Sequence, residues 1–199
     1  MKLIGALRSP YVRKVRIVLE EKRIPCELVA DRSGLADANP LAKVPTLILD
    51  SGKPLYDSSV IVEYLDGIVR DPKLIPDAFE PRIEAKRWEA LGDGIADATV
   101  LISHDRRKPK ELQETVEWYD KQRQKIDRGL AVIARDLAGR SFCLGESFSL
   151  ADVATGYALG YIDLVCPEID WRTAHPNLSK LAERYAMRES FRVTAHPAQ

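Results

Sequence analysis

The feature that most constrains the fold is a short apolar segment that passes through one tight turn into a helix. Residues 2–6 are short and mostly apolar, as a buried strand is. Pro10 suits the first turn of a helix, where its missing N–H costs nothing, so Ser9 falls at the N-cap. The free N–H groups and the Ser9 hydroxyl at that helix end would stabilise a small anion, such as a thiolate.

The first helix has one apolar face, formed by Val12, Val15, Val18 and Leu19. Its charged side chains are predicted to point away from that face: Arg13, Lys14, Arg16 and Glu20.

The rest of the first seventy residues alternates between strand and helix signals. Residues 26–30, 46–49 and 54–56 are predicted strands, and residues 31–39 are a loop or a vestigial helix. A further helix begins at Asp57-Ser58. The resulting order, β-α-β followed by β-β-α with an X-Pro pair at its middle, predicts a thioredoxin-like α/β fold.

The second half of the sequence is predicted to be all-helical. Three prolines within ten residues mark an interdomain linker, and beyond them apolar residues keep helical spacing over two long segments. Ser149-Leu150-Ala151-Asp152 is a capping box for a buried helix, so Asp152 is expected to serve folding and not chemistry. We predict a thioredoxin-like domain over residues 1–76, a linker over 77–81 and a helical domain over 82–199.

Two dipeptides in the first half suit a peptide-like ligand. Val44-Pro45 is either a cis pair that presents the backbone of Val44 to an extended ligand or an ordinary proline at a strand edge. In this context we predict the cis pair. Asp57-Ser58 begins a helix, where the hydroxyl and N–H groups suit a carboxylate and Asp57 suits an ammonium, although a plain helix cap is the alternative.

Composition narrows the possible partners and location. Thirty Lys and Arg balance thirty Asp and Glu, which argues against nucleic acid or an anionic membrane as the main partner. The three cysteines are widely spaced and form no C-x-x-C, so we expect reduced thiols, no metal site and a cytoplasmic protein. The apolar run near residue 1 is too short for a signal peptide, and no segment has the length of a membrane helix.

Four segments, in order, resemble the glutathione transferase family. They are Ser9-Pro10-Tyr11-Val12-Arg13, residues 39–47 (Asn-Pro-Leu-Ala-Lys-Val-Pro-Thr-Leu), Asp57-Ser58, and Ser149-Leu150-Ala151-Asp152. The resemblance runs nearly end to end and is greatest to bacterial members that open with Ser-Pro-Tyr/Phe-Val-Arg. It implies glutathione as co-substrate, a small electrophile as second substrate, and a homodimer acting in detoxification.

The resemblance also implies roles for individual residues. Ser9 would hydrogen-bond the glutathione sulfur as the catalytic residue, and the backbone of Val44, held by Pro45, would bond the cysteinyl unit. Asp57 and Ser58 would hold the γ-glutamyl end, and Lys43 would lie near the glycyl carboxylate. The electrophile pocket is predicted to include Tyr11, His104 and Arg107.

The sequence departs from the family pattern in three places. Asp57 stands where many members have Glu or Gln, the segment from Asp31 to Ala38 is brief, and position 9 is not Cys. The third departure argues against the lyase and reductase branches that use a cysteine there. Two alternatives to a transferase remain: a thiol or peroxide reductase that uses glutathione as its redox thiol, and a non-catalytic binding protein.

Overall fold

The computed structural model describes residues 1–197, which divide into two compact units. The first unit contains Met1–Ile75 and the described residues from Ala186 onward, and the second is Pro76–Tyr185. The predicted helical domain, 82–199, therefore differs from the second unit at its carboxyl end, because the last segment packs with the first unit. Residues 198 and 199 of that predicted domain lie outside the described residues.

The first unit contains a four-stranded mixed sheet with helices, a thioredoxin-like arrangement. The strands lie in the order β2-β1-β3-β4; β1 pairs parallel with β2 and antiparallel with β3, and β3 pairs antiparallel with β4. The elements in chain order are β1 Lys2–Ile4, α1 Pro10–Glu21, β2 Glu27–Val29, α2 Leu35–Ala38, β3 Thr46–Ile48, β4 Pro54–Tyr56 and α3 Ser58–Ile68. The vestigial helix anticipated between residues 31 and 39 is thus the four-residue α2.

The apolar face of α1 is buried as predicted, but its charged face is not wholly exposed. Val12 and Val15 have no exposed surface, and Arg13 and Lys14, predicted to point away from the core, are buried too. The prediction failed because α3 and the chain end also pack on α1, so little of its circumference is left for solvent.

The second unit is built from helices, with an isolated antiparallel bridge between Phe142 and Gly145. After α4, Phe79–Asp105, and a short 3₁₀ turn, Lys110–Leu112, come α5 Val116–Leu137, α6 Leu150–Val165, α7 Trp171–Ala174 and α8 Pro176–Ala186, whose last residue belongs to the first unit. Because α4 begins at Phe79, residues 79–81 of the predicted linker are helical. Within residues 1–197, no helix is both long enough and apolar enough to cross a bilayer.

Close packing of α4 on α6 explains why Gly92 lies in the middle of a helix. A Cβ atom at that position would lie 2.7 Å from the carbonyl oxygen of Ala154. For Gly94, by contrast, no described atom outside its chain neighbours and its own helix backbone lies within 4 Å of the Cβ position. Gly92 is therefore accounted for by packing within this chain.

The described chain ends in a segment, residues 188–197, that lies along α1 within the first unit. It contains α9, Glu189–Val193. Arg188 forms a two-bond ion pair with Glu21 at 2.7 and 2.9 Å, and the Arg16 guanidinium donates to the carbonyl oxygen of Val193. His196 contacts the carbonyl oxygen of Leu7 over 2.9 Å. These polar contacts attach the chain end to α1 and to the loop before Ser9.

Candidate functional site

Strand register brings three of the predicted site segments to one end of the sheet. Ile4 at the end of β1 pairs with Thr46 at the start of β3, and Thr46 pairs with Tyr56 at the end of β4. The turn after β1, the Val44-Pro45 pair before β3 and the Asp57-Ser58 pair after β4 therefore leave the sheet from the same edge.

Ser9 is the N-cap of α1, as predicted, with Pro10 as the first helical residue. Its hydroxyl oxygen accepts a hydrogen bond from the backbone N–H of Val12 over 3.4 Å, and the side chain is partly exposed. Because the oxygen acts as the acceptor in that bond, the hydroxyl proton is available to donate outward. A hydroxyl donor at a helix N-terminus is suited to an anion.

The loop before β3 is organised by a buried asparagine. The Asn39 side-chain amide donates to the carbonyl oxygen of Lys43 over 3.0 Å and to the Thr46 hydroxyl over 3.2 Å, while its oxygen accepts from the N–H of Leu41. The sequence contained Asn39 only as part of a motif and gave no indication of this role. The bonds fix the backbone immediately before Val44.

Within this loop, the Val44–Pro45 peptide bond is cis, as predicted. Pro45 is buried and Val44 is partly exposed. The Lys43 side chain is exposed.

Asp57 and Ser58 form the N-terminus of α3 as predicted. The Asp57 carboxylate accepts from the N–H and the hydroxyl of Ser59, each over 2.8 Å. Burial opposes its ionisation, but these bonds and the positive charges of Lys14 and Lys43 outweigh that effect and lower the pKa of Asp57. The result is a carboxylate that stays charged near neutral pH, beside the buried hydroxyl of Ser58.

A buried lysine lies behind this helix end. The Lys14 side chain of α1 has no exposed surface, and its ammonium donates to the Ser58 hydroxyl oxygen over 3.4 Å. Helical periodicity placed Lys14 on the solvent side, because the position of α3 above it is a tertiary feature. The sequence did show that Lys14 is adjacent to Val15, which belongs to the apolar face of α1. That position fits a buried side chain as well as an exposed one.

The three residues predicted for an electrophile pocket lie in different units. Tyr11 is a partly exposed residue of α1 in the first unit. His104 and Arg107 belong to the second, at the end of α4, where His104 is exposed and Arg107 donates to the Ser103 hydroxyl over 3.2 Å. Their shared role as a pocket stays a prediction.

The pKa values of the cysteine thiols are raised, which does not favour the nucleophilic thiolate form. Burial raises the pKa of Cys26 and of Cys143, and it raises the pKa of Cys166 to about 11. All three therefore remain protonated near neutral pH, when a thiol reacts slowly. Across the described part of the chain, no cluster of three or more His, Cys, Asp or Glu is arranged to hold a metal ion.

Comparison with known proteins agrees with this architecture. Residues 3–73 match the family model for the glutathione S-transferase N-terminal domain, and residues 116–184 match the one for the C-terminal domain. The chain belongs to the glutathione S-transferase family.

Relatives of similar length extend the likeness over the whole chain. An uncharacterised GST-like protein of Escherichia coli (strain K12), YibF, is 34% identical over 99% of each chain. A glutathione S-transferase from Methylobacillus flagellatus KT, solved with glutathione bound, is 44% identical with a TM-score of 0.94, covering 98% of this chain and 99% of that one. A transferase from Methylobacterium radiotolerans, in complex with glutathione sulfonate, is 42% identical with a TM-score of 0.92, covering 100% and 95%.

Proposed function

We propose that this protein is a glutathione transferase that binds glutathione on its first unit and activates the thiol for attack on an electrophilic small molecule. The observation that carries the proposal is the convergence of the Ser9, Val44-Pro45 and Asp57-Ser58 segments at one sheet edge. Its support from relatives is the glutathione bound in the Methylobacillus flagellatus enzyme, which is 44% identical.

Each group in this arrangement matches one part of glutathione. Asp57 and Ser58 match the ammonium and carboxylate of the γ-glutamyl end, and the Val44 backbone matches the cysteinyl amide. Lys43 matches the glycyl carboxylate. With those contacts made, the thiol reaches the N-terminus of α1, where the hydroxyl of Ser9 has a proton to donate.

The chemical task of Ser9 is to hold the sulfur as a thiolate. A free thiol has a pKa of about 8.5, so only a few per cent is ionised at pH 7. One hydroxyl hydrogen bond and the partial positive charge of a helix N-terminus favour the anion, and each pKa unit is about 1.4 kcal/mol. The thiolate then attacks the electrophile, forming the carbon–sulfur bond as the leaving group departs or the double bond accepts the electron pair.

The test separates binding from turnover. Calorimetry measures the glutathione Kd, and the conjugation rate with a chlorodinitrobenzene measures the chemistry, for the wild type and Ser9→Ala. We expect Ser9→Ala to reduce kcat by more than it weakens binding. Collapse of binding with an unchanged residual rate would show that Ser9 is only a helix cap.

Two other activities of this scaffold are outcomes of the same experiment. With a peroxide or a disulfide supplied as oxidant, a reductase that uses glutathione as redox thiol would reduce it, form glutathione disulfide and give no conjugate. A binding protein would bind glutathione with neither product. Because no described cysteine lies at the helix end that Ser9 occupies, a reductase would have to rely on glutathione alone as its redox thiol.

The second substrate and the assembly are further parts of the proposal. Tyr11, His104 and Arg107 are the proposed electrophile contacts, and a homodimer is proposed on family membership. Sedimentation tests the latter: a mass near twice the chain's 22.3 kDa supports it, and a mass near 22.3 kDa at micromolar concentration contradicts it. Cytoplasmic location and a role in detoxification stay predictions from the sequence.

A further inference from the structure

A buried lysine lies behind the N-terminus of α3, next to the proposed glutathione site. Lys14 lies on α1 with no exposed surface, and its ammonium is 3.4 Å from the hydroxyl oxygen of Ser58. Burying a charge is costly unless it is compensated. The bond to Ser58 places this ammonium directly behind a hydroxyl of the proposed glutathione site.

The hydrogen-bond chemistry of the pair fixes the direction of the Ser58 hydroxyl. An ammonium has only donors, so the serine oxygen must be the acceptor in this bond. Serine has one hydroxyl proton, and that proton must then point away from Lys14. Ser58 is thereby set to donate its proton on the side away from Lys14, the form required to bind a carboxylate.

The positive charge of Lys14 also favours a carboxylate at this end of the site. It lies behind the N-terminus of α3, whose free N–H groups already favour an anion. It also helps to keep Asp57 ionised. An α-amino acid has its carboxylate and ammonium on one carbon. The Ser58 hydroxyl, as a donor, can therefore bind the carboxylate while the adjacent Asp57 carboxylate binds the ammonium, in one orientation of the ligand.

We propose that Lys14 is a positioning residue, which sets Ser58 as a hydrogen-bond donor and makes this end of the site selective for the γ-glutamyl α-carboxylate. This inference rests on the proposed glutathione site. It adds to that proposal the group that determines which end of the ligand is recognised.

The test compares two ligands that differ only in that carboxylate. The Kd of glutathione and of γ-aminobutyryl-cysteinyl-glycine is measured by calorimetry for the wild type and for Lys14→Gln. The matched control is Lys22→Gln, since Lys22 is also buried, at the other end of α1, and pairs with Asp66 away from the site. Replacing either lysine costs stability, but only Lys14 faces Ser58.

We expect Lys14→Gln to lose affinity for glutathione selectively. Lys14→Gln should weaken glutathione binding about tenfold, the usual scale of one charge-assisted interaction, and change analogue binding less than about twofold. Lys22→Gln should leave the ratio of the two Kd values at the wild-type level. Equal weakening of both ligands by Lys14→Gln, or no weakening of either, would overturn the inference.

A second variant keeps the inference testable if Lys14→Gln does not fold. Because Lys14 acts through Ser58, Ser58→Ala must also reduce the preference for glutathione over the analogue. A preference that stays at the wild-type level in Ser58→Ala overturns the inference. If the wild type binds no glutathione, the proposed function fails with it; if the wild type binds glutathione without preferring it to the analogue, only the inference fails.

Discussion

The side-chain amide of Asn39 donates to the backbone carbonyl oxygen of Lys43 over 3.0 Å. The same oxygen accepts from the Thr46 hydroxyl over 2.9 Å, so two side chains converge on the peptide unit that precedes Val44. The proposed backbone contact to glutathione therefore depends on a side chain that is itself buried.

Replacing Asn39 should loosen that loop. Asn39→Ala removes three hydrogen bonds, and we expect a loss of about 2 kcal/mol in the free energy of unfolding and a KM for glutathione raised about three- to tenfold. The control is Asn177→Ala in the second unit, where the amide donates to the Ala134 carbonyl over 2.7 Å. It should lower stability and leave the KM unchanged, and a similar rise in KM for both variants would contradict the account.

Asp152 is expected to affect folding alone. Its carboxylate accepts from the N–H and hydroxyl of Ser149, the N–H of Cys143 and the hydroxyl of Tyr185, all at 2.8 or 2.9 Å. Asp152→Ala leaves buried donors without this acceptor, at about 1–3 kcal/mol for each one left unsatisfied. Thermal melting should show a large fall in Tm, while activity per folded molecule stays near that of the wild type. A normal Tm with lost activity would refute this assignment.

The ion pair between Glu21 and Arg188 should hold the chain end on α1. Its two bonds are 2.7 and 2.9 Å long, and the Glu21 side chain is nearly buried. We expect Glu21→Ala to lower the free energy of unfolding by about 1–3 kcal/mol and a double-mutant cycle with Arg188→Ala to show coupling. Strict additivity would mean that the pair contributes nothing. The exposed pair Arg123–Asp127 is the control, with an expected coupling below about 0.5 kcal/mol.

The lowered pKa of His196 leads us to expect that the free energy of unfolding depends on pH. Burial lowers its pKa to about 4, an effect opposed by the contact with the Leu7 carbonyl and reinforced by Arg13, Arg8 and Arg16. The unfolded chain binds the proton at about pH 6.5 and the folded chain only near 4, so stability should fall as the pH drops from about 6.5 to about 4. Above pH 6.5 both states are neutral and no effect is expected.

Denaturation in urea at several pH values tests this expectation. The difference in stability between the wild type and His196→Gln should shift with pH in that window, because glutamine cannot take up the proton. A difference that stays constant from pH 7 to pH 4 would contradict it.

Local patterns predicted the parts of this molecule that local chemistry determines. Ser9-Pro10 and Ser149-Leu150-Ala151-Asp152 contain the groups that cap their own helices, so both helix starts could be read from the sequence. The roles of Lys14 and Glu21 could not, because their partners lie 44 and 167 residues away. The five-residue α9 was missed for the same reason: it is too short for periodicity to indicate, and it packs on α1.

The ionisation of bound glutathione tests the central claim most directly. Ultraviolet difference titration of the thiolate gives the pKa of the bound sulfur in the wild type, in Ser9→Ala and in the control Ser33→Ala, where the lost hydroxyl donates to the Asp31 carboxylate. We predict a pKa about one to two units below the free value of about 8.5 in the wild type and the control, and a return toward the free value in Ser9→Ala. The same lowered pKa in Ser9→Ala as in the wild type would contradict the account.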